Sequence, residues 1–379
     1  MGRMETNSRK KNPFLIGLTG TIGTGKSLVL AMLRHLGALT LDADWLACQS
    51  YHKGRPGHAA ILAHFGEEMA APDGEIDREI LGRMVFSSME KLAKLESLIH
   101  PIVTDAITEI LQQPPLPIIA VEAIKLFESD LAGLCDNIWI LNAEKKTVFQ
   151  RLRETRGMSD SEIEDRMRHQ SGILDNMEKA DMVIENNADV YALWKSVSKK
   201  WNYLKENNLQ FKESNQAVEY ALSPFNQHLL RPSRKNAEHI SSYIKEEQLD
   251  FFRNIRFPRK KTVLDREDIF LMLCAYINWQ FNNQGDHEVF LSFRMKHQCV
   301  DLIAASPLKN LPADEIQHMM RIIENYCRLH LCVEIKLLYK GKEAVLEQIG
   351  YLKNKPEVPG GESVGARHEY NIYTKSLSP

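Results

Sequence analysis

The stretch Gly20-Thr-Ile-Gly-Thr-Gly-Lys-Ser27 decides the fold of the first half of this chain. It follows the apolar run Phe14–Leu18 and precedes Leu28–Leu36, whose composition predicts a helix. Glycines let the backbone turn tightly and bring its N–H groups close to phosphate oxygens, and the next helix directs its positive end at the same place. A strand, this loop and a helix in that order predict a phosphate-binding loop rather than a chance glycine-rich turn.

The two polar residues that close the loop have separate chemical uses. Lys26 can reach the β- and γ-phosphates of a nucleotide as a point charge, and the Ser27 hydroxyl can hold Mg²⁺. The loop therefore indicates that a nucleotide is bound, without saying which reaction follows.

The bulk properties of the chain limit its partners and its class. A chain of 379 residues is long enough for two domains. Its formal net charge of −2 gives no general attraction to nucleic acid or to an anionic membrane. Six scattered cysteines without a C-x-x-C pair predict thiols in a reducing cytoplasm and no disulfide or metal site. No apolar run approaches the roughly 20 residues that span a membrane, and no protein partner is evident.

Two carboxylates follow the second predicted strand, Ala38–Leu41. Asp42 and Asp44 would lie where open α/β sheets bind ligands, outside the carboxyl ends of the strands. One of them could accept the proton of an alcohol during phosphoryl transfer, or simply cap the helix that follows. Both interpretations stay open, and they are compatible because two residues can divide the two tasks.

The third predicted strand, Pro117–Val121, is apolar on both faces, as a parallel sheet requires, and Glu122 follows it. We interpret Glu122 as a Mg²⁺ anchor, the alternative being a turn residue. Amphipathic helices fill the insertion before this strand, and Pro101 predicts a break or kink in them. Further strands are predicted at Ile138–Leu141 and Asp181–Ile184, so that strands alternate with helices in a doubly wound parallel sheet.

Three arginines lie together on the segment Thr147–Arg156. Arg151, Arg153 and Arg156 would usually form a solvated face. In a phosphoryl-transfer enzyme the same cluster is a lid that neutralises the charge of the transition state.

In this order, the motifs of the first 200 residues resemble the dephospho-coenzyme A kinase family. The resemblance is carried by Leu18–Ser27, Leu41-Asp-Ala-Asp44, His64-Phe-Gly66, Asp73-Gly74 with Arg78, Leu98-Ile-His-Pro101, Arg151 to Arg156 with Gln170, and Lys179–Asn186. It implies a P-loop kinase fold with a helical insertion, and an enzyme that uses ATP and Mg²⁺ to phosphorylate the ribose 3′-hydroxyl of dephospho-CoA. Lys125 departs from the family, which usually has an apolar residue there.

The resemblance also implies roles for individual residues. Asp44 is the catalytic base, helped by Lys26, Arg151 and Arg156. The ATP site comprises Gly20, Gly23, Thr24, Gly25, Lys26, Ser27, Leu28 and Asn186. The acceptor side comprises His64, Phe65, Arg78 and His100, and the metal site comprises Ser27 and Glu122.

The rest of the chain is divided by composition. We expect a flexible N-terminus over 1–12, a kinase domain over 13–205, a linker over 206–235 and an α+β domain over 236–379. The last domain is similar to GNAT acyltransferases around Glu343–Leu352. Leu311-Pro-Ala-Asp-Glu315 replaces the glycine turn that binds the cofactor in that family, which implies a degenerate, inactive or structural domain. Alternatives for the whole chain are a P-loop kinase for another small alcohol or nucleotide, or a non-catalytic nucleotide or CoA sensor.

Overall fold

A five-stranded parallel sheet forms the centre of the first half of the chain. Its strands are β1 (Phe14–Gly20), β2 (Leu39–Asp42), β3 (Ile118–Glu122), β4 (Asn137–Asn142) and β5 (Met182–Glu185), in the order β2-β3-β1-β4-β5. The computed structural model describes residues 13–168, 170, 172–243, 266–282, 288–296, 299–304, 312–339, 343–354 and 371–377. Every residue of the central strand β1 is buried, which explains why the sequence there is apolar on both faces. The predicted doubly wound parallel sheet is confirmed.

Helices connect and cover these strands. They are α1 (Lys26–Leu36), α2 (Ala43–Ser50), α3 (Pro56–Phe65), α4 (Arg78–Phe86), α5 (Met89–Gln112), α6 (Leu131–Leu134), α7 (Lys145–Arg156), α8 (Asp160–Arg168), α9 (Gly172–Asp175) and α10 (Val190–Asn207). Helices α2 to α5 form the predicted insertion between β2 and β3. Among the described residues, no helix is both long and apolar enough to cross a membrane.

Helix α5 runs through Pro101 without a break, so the predicted break at this residue is wrong, while the alternative of a kink stays a prediction. A proline inside a helix costs about 3 kcal/mol because it removes one hydrogen bond and crowds the preceding turn. Here Leu95, Ile99, Val103 and Ile107 lie at four-residue spacing and are all buried. Their packing against the rest of the insertion holds the helix together on both sides of the proline.

The segment predicted as a linker, 206–235, contains helices. It contains α11 (Leu209–Ala221) and α12 (Ser223–Asn226), and α13 (Arg234–Tyr243) begins at its end. The Phe211 ring lies edge-on to the rings of Phe14 and Trp201, with centroids 4.9 Å apart in both cases. Because α11 packs on the central strand β1, we propose that the first domain extends beyond residue 205 to include it.

The second half contains a six-stranded mixed sheet. Its strands are β6 (Ile277–Asn282), β7 (Glu288–Lys296), β8 (Cys299–Ala304), β9 (Glu334–Tyr339), β10 (Leu352–Asn354) and β11 (Asn371–Ser376), in the order β10-β11-β9-β8-β7-β6. Only β8 and β9 pair in parallel among these strands. The helices are α14 (Arg266–Ala275), α15 (Ala313–Leu329) and α16 (Glu343–Gln348). The similarity to GNAT acyltransferases stays a prediction, and residues 1–12 lie outside the described part.

The two halves meet at the end of α1. Arg34 donates from Nη1 to the backbone oxygen of Met295 over 3.1 Å, and His35 Nε2 lies 2.9 Å from the backbone oxygen of Tyr276. Both side chains are buried. The helix that begins at the phosphate-binding loop therefore ends against the second sheet.

Candidate active site

The loop between β1 and α1 has the backbone shape that its glycines predict. Gly23 and Gly25 adopt positive φ angles of 77° and 101°, a region that residues with a side chain rarely occupy. A Cβ atom at Gly25 would lie 2.7 Å from the amide nitrogen of Asn186, and one at Gly23 would lie 2.9 Å from Val148. The loop is thus packed between α7 and the end of β5, and larger residues do not fit.

Helix α1 begins at this loop without a side-chain cap. The first N–H groups of a helix have no partner within the helix, and they carry its partial positive charge. An uncapped start at the carboxyl edge of a parallel sheet is a suitable place for phosphate. Leu28 and Thr24 lie beside it, and the Thr24 hydroxyl donates to the backbone oxygen of Thr21 over 2.8 Å.

Lys26 is held inside the loop by two backbone acceptors and faces a more distant carboxylate. Its Nζ atom donates to the backbone oxygens of Gly20 (2.8 Å) and Thr21 (3.2 Å), and lies 4.0 Å from the Glu122 carboxylate. Burial lowers the pKa of Lys26, while the negative charges of Glu122 and Asp44 oppose that change. The ammonium group therefore stands at the loop with anionic neighbours, as a phosphate-binding lysine requires.

Glu122 ends β3 and is almost fully buried. Burial raises its pKa to about 7, and the nearby Lys26 charge and a hydrogen bond from Ser27 act in the opposite direction. Its Oε2 atom is buried without a hydrogen-bond partner. A carboxylate oxygen without a partner beside a hydroxyl is a hard oxygen pair of the kind Mg²⁺ prefers. The residues present therefore fit the expected metal ion.

The ion would need further ligands from elsewhere. Within the described part of the chain, no group of three or more His, Cys, Asp or Glu residues is arranged to hold a metal. Magnesium usually takes one or two carboxylates and completes its shell with water and substrate phosphates, so a site of Ser27 and Glu122 alone is chemically consistent.

Asp42, at the end of β2, and Asp44, just after it, have different roles, one as a helix cap and one as a candidate base. Asp42 Oδ1 accepts the backbone N–H of Trp45 over 2.9 Å and caps α2. Asp44 lies in the first turn of α2 and part of its surface is open to solvent. Loss of water around its carboxyl group, and then the Asp42 charge, raise its pKa to about 6. The Lys26 charge partly offsets this increase. Asp42 thus supplies the cap, and Asp44 is the carboxylate available for proton transfer.

The three arginines of α7 also differ in their surroundings. Arg151 donates from Nη2 to Asn186 Oδ1 over 3.3 Å, and Asn186 donates from Nδ2 to the Thr24 backbone oxygen over 2.7 Å. The Nη1 atom of Arg151 is buried without a hydrogen-bond partner. The Arg156 charge acts on Lys26 by lowering its pKa. Arg153 instead pairs with Asp160 at the surface, and Arg156 is exposed as well, so Arg151 is the one of the three that is partly buried.

Comparison with known proteins agrees with this arrangement. The model of the dephospho-CoA kinase family matches residues 14–191. The dephospho-CoA kinase of Geobacter metallireducens is 36% identical over 191 residues, which cover 48% of this chain and 95% of that protein. That of Geobacter sulfurreducens is 33% identical over 191 residues, which cover 49% of this chain and 96% of that protein. This chain belongs to the dephospho-CoA kinase family. It is a kinase of the transferase class. A solved structure, TT1252 from Thermus thermophilus, is 31% identical with a TM-score of 0.45, and the match covers 51% of this chain and 99% of that one.

The side expected to bind the acceptor in this dephospho-CoA kinase is formed by the helical insertion. Phe65 is buried, and its ring meets the His64 ring edge-on at 4.8 Å. Arg78 donates from Nη2 to the Cys48 backbone oxygen over 3.1 Å, which ties α4 to α2. His100 is partly buried in the middle of α5. The contacts of these four residues with an acceptor stay a prediction.

Two residues of the kinase, Lys125 and Gln170, make contacts that were not predicted from its sequence. Lys125, the departure from the family pattern, forms ion pairs with Glu96 of α5 (2.7 Å) and with Glu128 (3.5 Å). Gln170 accepts the Ile22 backbone N–H at its Oε1 atom over 2.7 Å and so contacts the phosphate-binding loop. No local sequence signal could have found the Lys125–Glu96 or the Gln170–Ile22 pair, because these residues lie 29 and 148 positions apart in the chain.

Proposed function

We propose that the protein transfers the γ-phosphoryl group of ATP to the ribose 3′-hydroxyl of dephospho-CoA, giving CoA in the last step of its synthesis. The observation that carries this proposal is the grouping of Lys26, Asp44 and Glu122 at one edge of the sheet, where their charges act on one another. A phosphate-binding lysine, a carboxylate base and a metal-binding carboxylate are the parts that phosphoryl transfer to an alcohol requires.

The phosphate-binding loop and Lys26 bind and orient ATP. The uncapped start of α1 supplies backbone N–H groups for the phosphates, and Lys26 exchanges its backbone acceptors for phosphate oxygens. Asn186 holds the Thr24 backbone from behind and so fixes the shape of the loop. Ser27 and Glu122 would hold Mg²⁺, which neutralises phosphate charge when it is bound.

Asp44 accepts the proton of the attacking 3′-hydroxyl. A carboxylate with a pKa near 6 is largely ionised at neutral pH and is still a better base than an ordinary aspartate. Arg151 and Arg156 place positive charge beside the loop, where negative charge spreads over the transferred group. The unpartnered Nη1 atom of Arg151 supports such a role, because one donor remains free for a phosphate oxygen.

The acceptor would bind against the insertion helices, with His64, Phe65, Arg78 and His100 on that side. The scattered cysteines, five of which are free in the described part, and the family support a cytoplasmic location.

The test is a coupled ADP-release assay on the full chain with dephospho-CoA as the acceptor. Turnover is expected with dephospho-CoA and not with shikimate, adenosine or nucleoside monophosphates. Asp44→Asn is expected to reduce kcat at least 100-fold, the usual minimum for general base catalysis, and to retain ATP binding.

Asp105→Asn, at an exposed position on α5, is the matched control and should leave kcat unchanged. Turnover with another acceptor alone would favour the kinase of a different alcohol. ATP binding without turnover on any acceptor would favour a sensor.

A further inference from the structure

A groove of about 650 Å³ lies between α10 and the start of α13. Its volume falls within the range of small-molecule sites, about 300–1,000 Å³. Tyr191, Trp194, Lys195, Ser198 and Lys199 line it from α10. Arg234, the first residue of α13, closes the other side. The residues of the proposed kinase mechanism are not among those that line this groove.

Positive charge dominates the lining. Lys195, Lys199 and Arg234 face one carboxylate, that of Glu206. The three cations are exposed, and none forms an ion pair with any residue in the described part. Lys195 and Lys199 lie four residues apart and so share one face of α10. The groove therefore favours an anionic occupant.

Two aromatic rings of the wall, Tyr191 and Trp194, are held in fixed orientations. The Tyr191 ring meets the Phe270 ring edge-on at 5.3 Å, and the Arg234 guanidinium stands 4.4 Å over the same ring. The Trp194 ring is held edge-on to His35 at 6.4 Å. Lys195 Nζ also stands over the Tyr191 ring, 5.6 Å from its centroid. The Trp194 ring is therefore the one that offers a surface on which a planar group can pack.

One polar atom of the groove lacks a partner. The Ser198 hydroxyl oxygen is buried and forms no hydrogen bond. A buried hydroxyl without a partner is unfavourable, so such atoms usually meet a ligand or a water molecule. Ser198 lies between Lys195 and Lys199 on the same helix face, where it could donate to the anionic group that these lysines attract.

We propose that this groove binds a small anionic ligand that carries a planar aromatic ring. The ring packs against Trp194, and the anionic group contacts Lys195, Lys199 and the Ser198 hydroxyl. The site is separate from the ATP site. Trp194 contacts His35, which follows Lys26 by nine residues of α1, or about 14 Å of helix rise.

The test is calorimetric titration of the full chain with 1-naphthyl phosphate, in the presence of a saturating non-hydrolysable ATP analogue that fills the phosphate-binding loop. The expected result is saturable binding to one site. Inorganic phosphate lacks the ring and 1-naphthol lacks the charge, and each is expected to bind at least tenfold more weakly.

Charge reversal then locates the site. Lys195→Glu with Lys199→Glu should weaken 1-naphthyl phosphate binding at least tenfold, whereas Lys91→Glu, at an exposed position on the distant α5, should not. Kinase turnover of all variants should stay unchanged, which also reports that they fold.

Three outcomes would overturn the proposal: no saturable binding, complete displacement by the ATP analogue, or equal weakening by Lys91→Glu. None of these measurements depends on the identity of the kinase acceptor.

Discussion

The Lys26 ammonium lies 4.0 Å from the Glu122 carboxylate, and only 7% of the surface of each residue is exposed. Removing two charges from water is costly, and a pair at this separation regains only part of the cost. Such a pair is poor evidence for a stabilising contact. The arrangement instead suits a binding site. Neither group has a close partner of opposite charge, so Lys26 can bind an anionic substrate and Glu122 can bind a cation.

The pH dependence of turnover should report Asp44. Because its pKa is raised to about 6, it is protonated below that pH and cannot accept a proton. Burial raises the pKa of Glu122 to about 7, but a bound Mg²⁺ would keep this carboxylate ionised, so the assay uses saturating Mg²⁺. We then expect kcat to be constant above about pH 7 and to fall roughly tenfold per pH unit below 6. Steady-state kinetics from pH 5 to 8.5 would measure this. A profile that is flat down to pH 5 would contradict the assignment of Asp44 as the base.

Arg151 and Arg153 should differ although they lie two residues apart. Arg151 contacts Asn186 behind the phosphate-binding loop, whereas Arg153 pairs with Asp160 at the surface. Arg151→Ala is expected to lower kcat at least 100-fold, since an arginine aimed at the transferred group contributes strongly to phosphoryl transfer. Arg153→Ala, the matched control, should change kcat less than twofold. Equal effects of the two substitutions would show that the whole segment acts only as a structural helix.

The ion pair of Lys125 and Glu96 should couple the insertion to the segment after β3. The two side chains are one-third and one-quarter exposed, so we expect a coupling energy of about 0.5–1 kcal/mol. A double-mutant cycle with Lys125→Leu and Glu96→Gln, followed by urea unfolding, would measure it. The pair Lys145–Glu164 is at least half exposed and serves as the control with a coupling near zero. If the two cycles agree, Lys125 has no positional role.

Phe211 should anchor α11 to the first domain. It is fully buried between Phe14 and Trp201, so Phe211→Ala should lower the free energy of unfolding by about 3–5 kcal/mol. Leu209 lies on the same helix and is 72% exposed, and Leu209→Ala should change it by no more than about 0.5 kcal/mol. Thermal unfolding followed by circular dichroism would compare them. A small effect of Phe211→Ala would contradict the proposal that α11 belongs to the first domain.

Acid should destabilise the junction of the two halves. Burial, and then the Arg34 and His35 charges, lower the pKa of His330 to about 3, and neither of its ring nitrogens has a hydrogen-bond partner. Below pH 6.5 the unfolded chain binds a proton at His330 that the folded chain does not, so stability is lost as the pH falls from 6.5 toward 3.

The His330→Phe substitution tests this directly. It should reduce the slope of unfolding free energy against pH by about 1.4 kcal/mol per unit between pH 5.5 and 4. His318→Phe, at an exposed position on α15, should leave the slope unchanged. An unchanged slope in His330→Phe would mean that this histidine is protonated alike in both states.

Local patterns determined most of the first domain. The loop Gly20–Ser27 specifies its own backbone, because its glycines and its position between strand and helix fix the turn within eight residues. The strands were also readable, since a strand buried on both faces is a continuous apolar run. The α11 helix was not predicted because its buried face is only partly apolar. Its buried positions, Phe211, Ser214, Asn215 and Val218, have helical spacing, but two of them are polar.

The sequence by itself determined the phosphate-binding loop, the parallel sheet and the family, because these depend on spacing along the chain. Only the tertiary structure decided that Asp42 caps α2 while Asp44 stays available, that Arg151 faces the loop while Arg153 faces solvent, and that α1 ends against the second sheet. The roles of Arg151 and Arg34 depend on partners that lie 35 and 261 residues away, and those of the two aspartates depend on which of two neighbouring carboxylates turns to the helix start. Neither is encoded in the local pattern of residues.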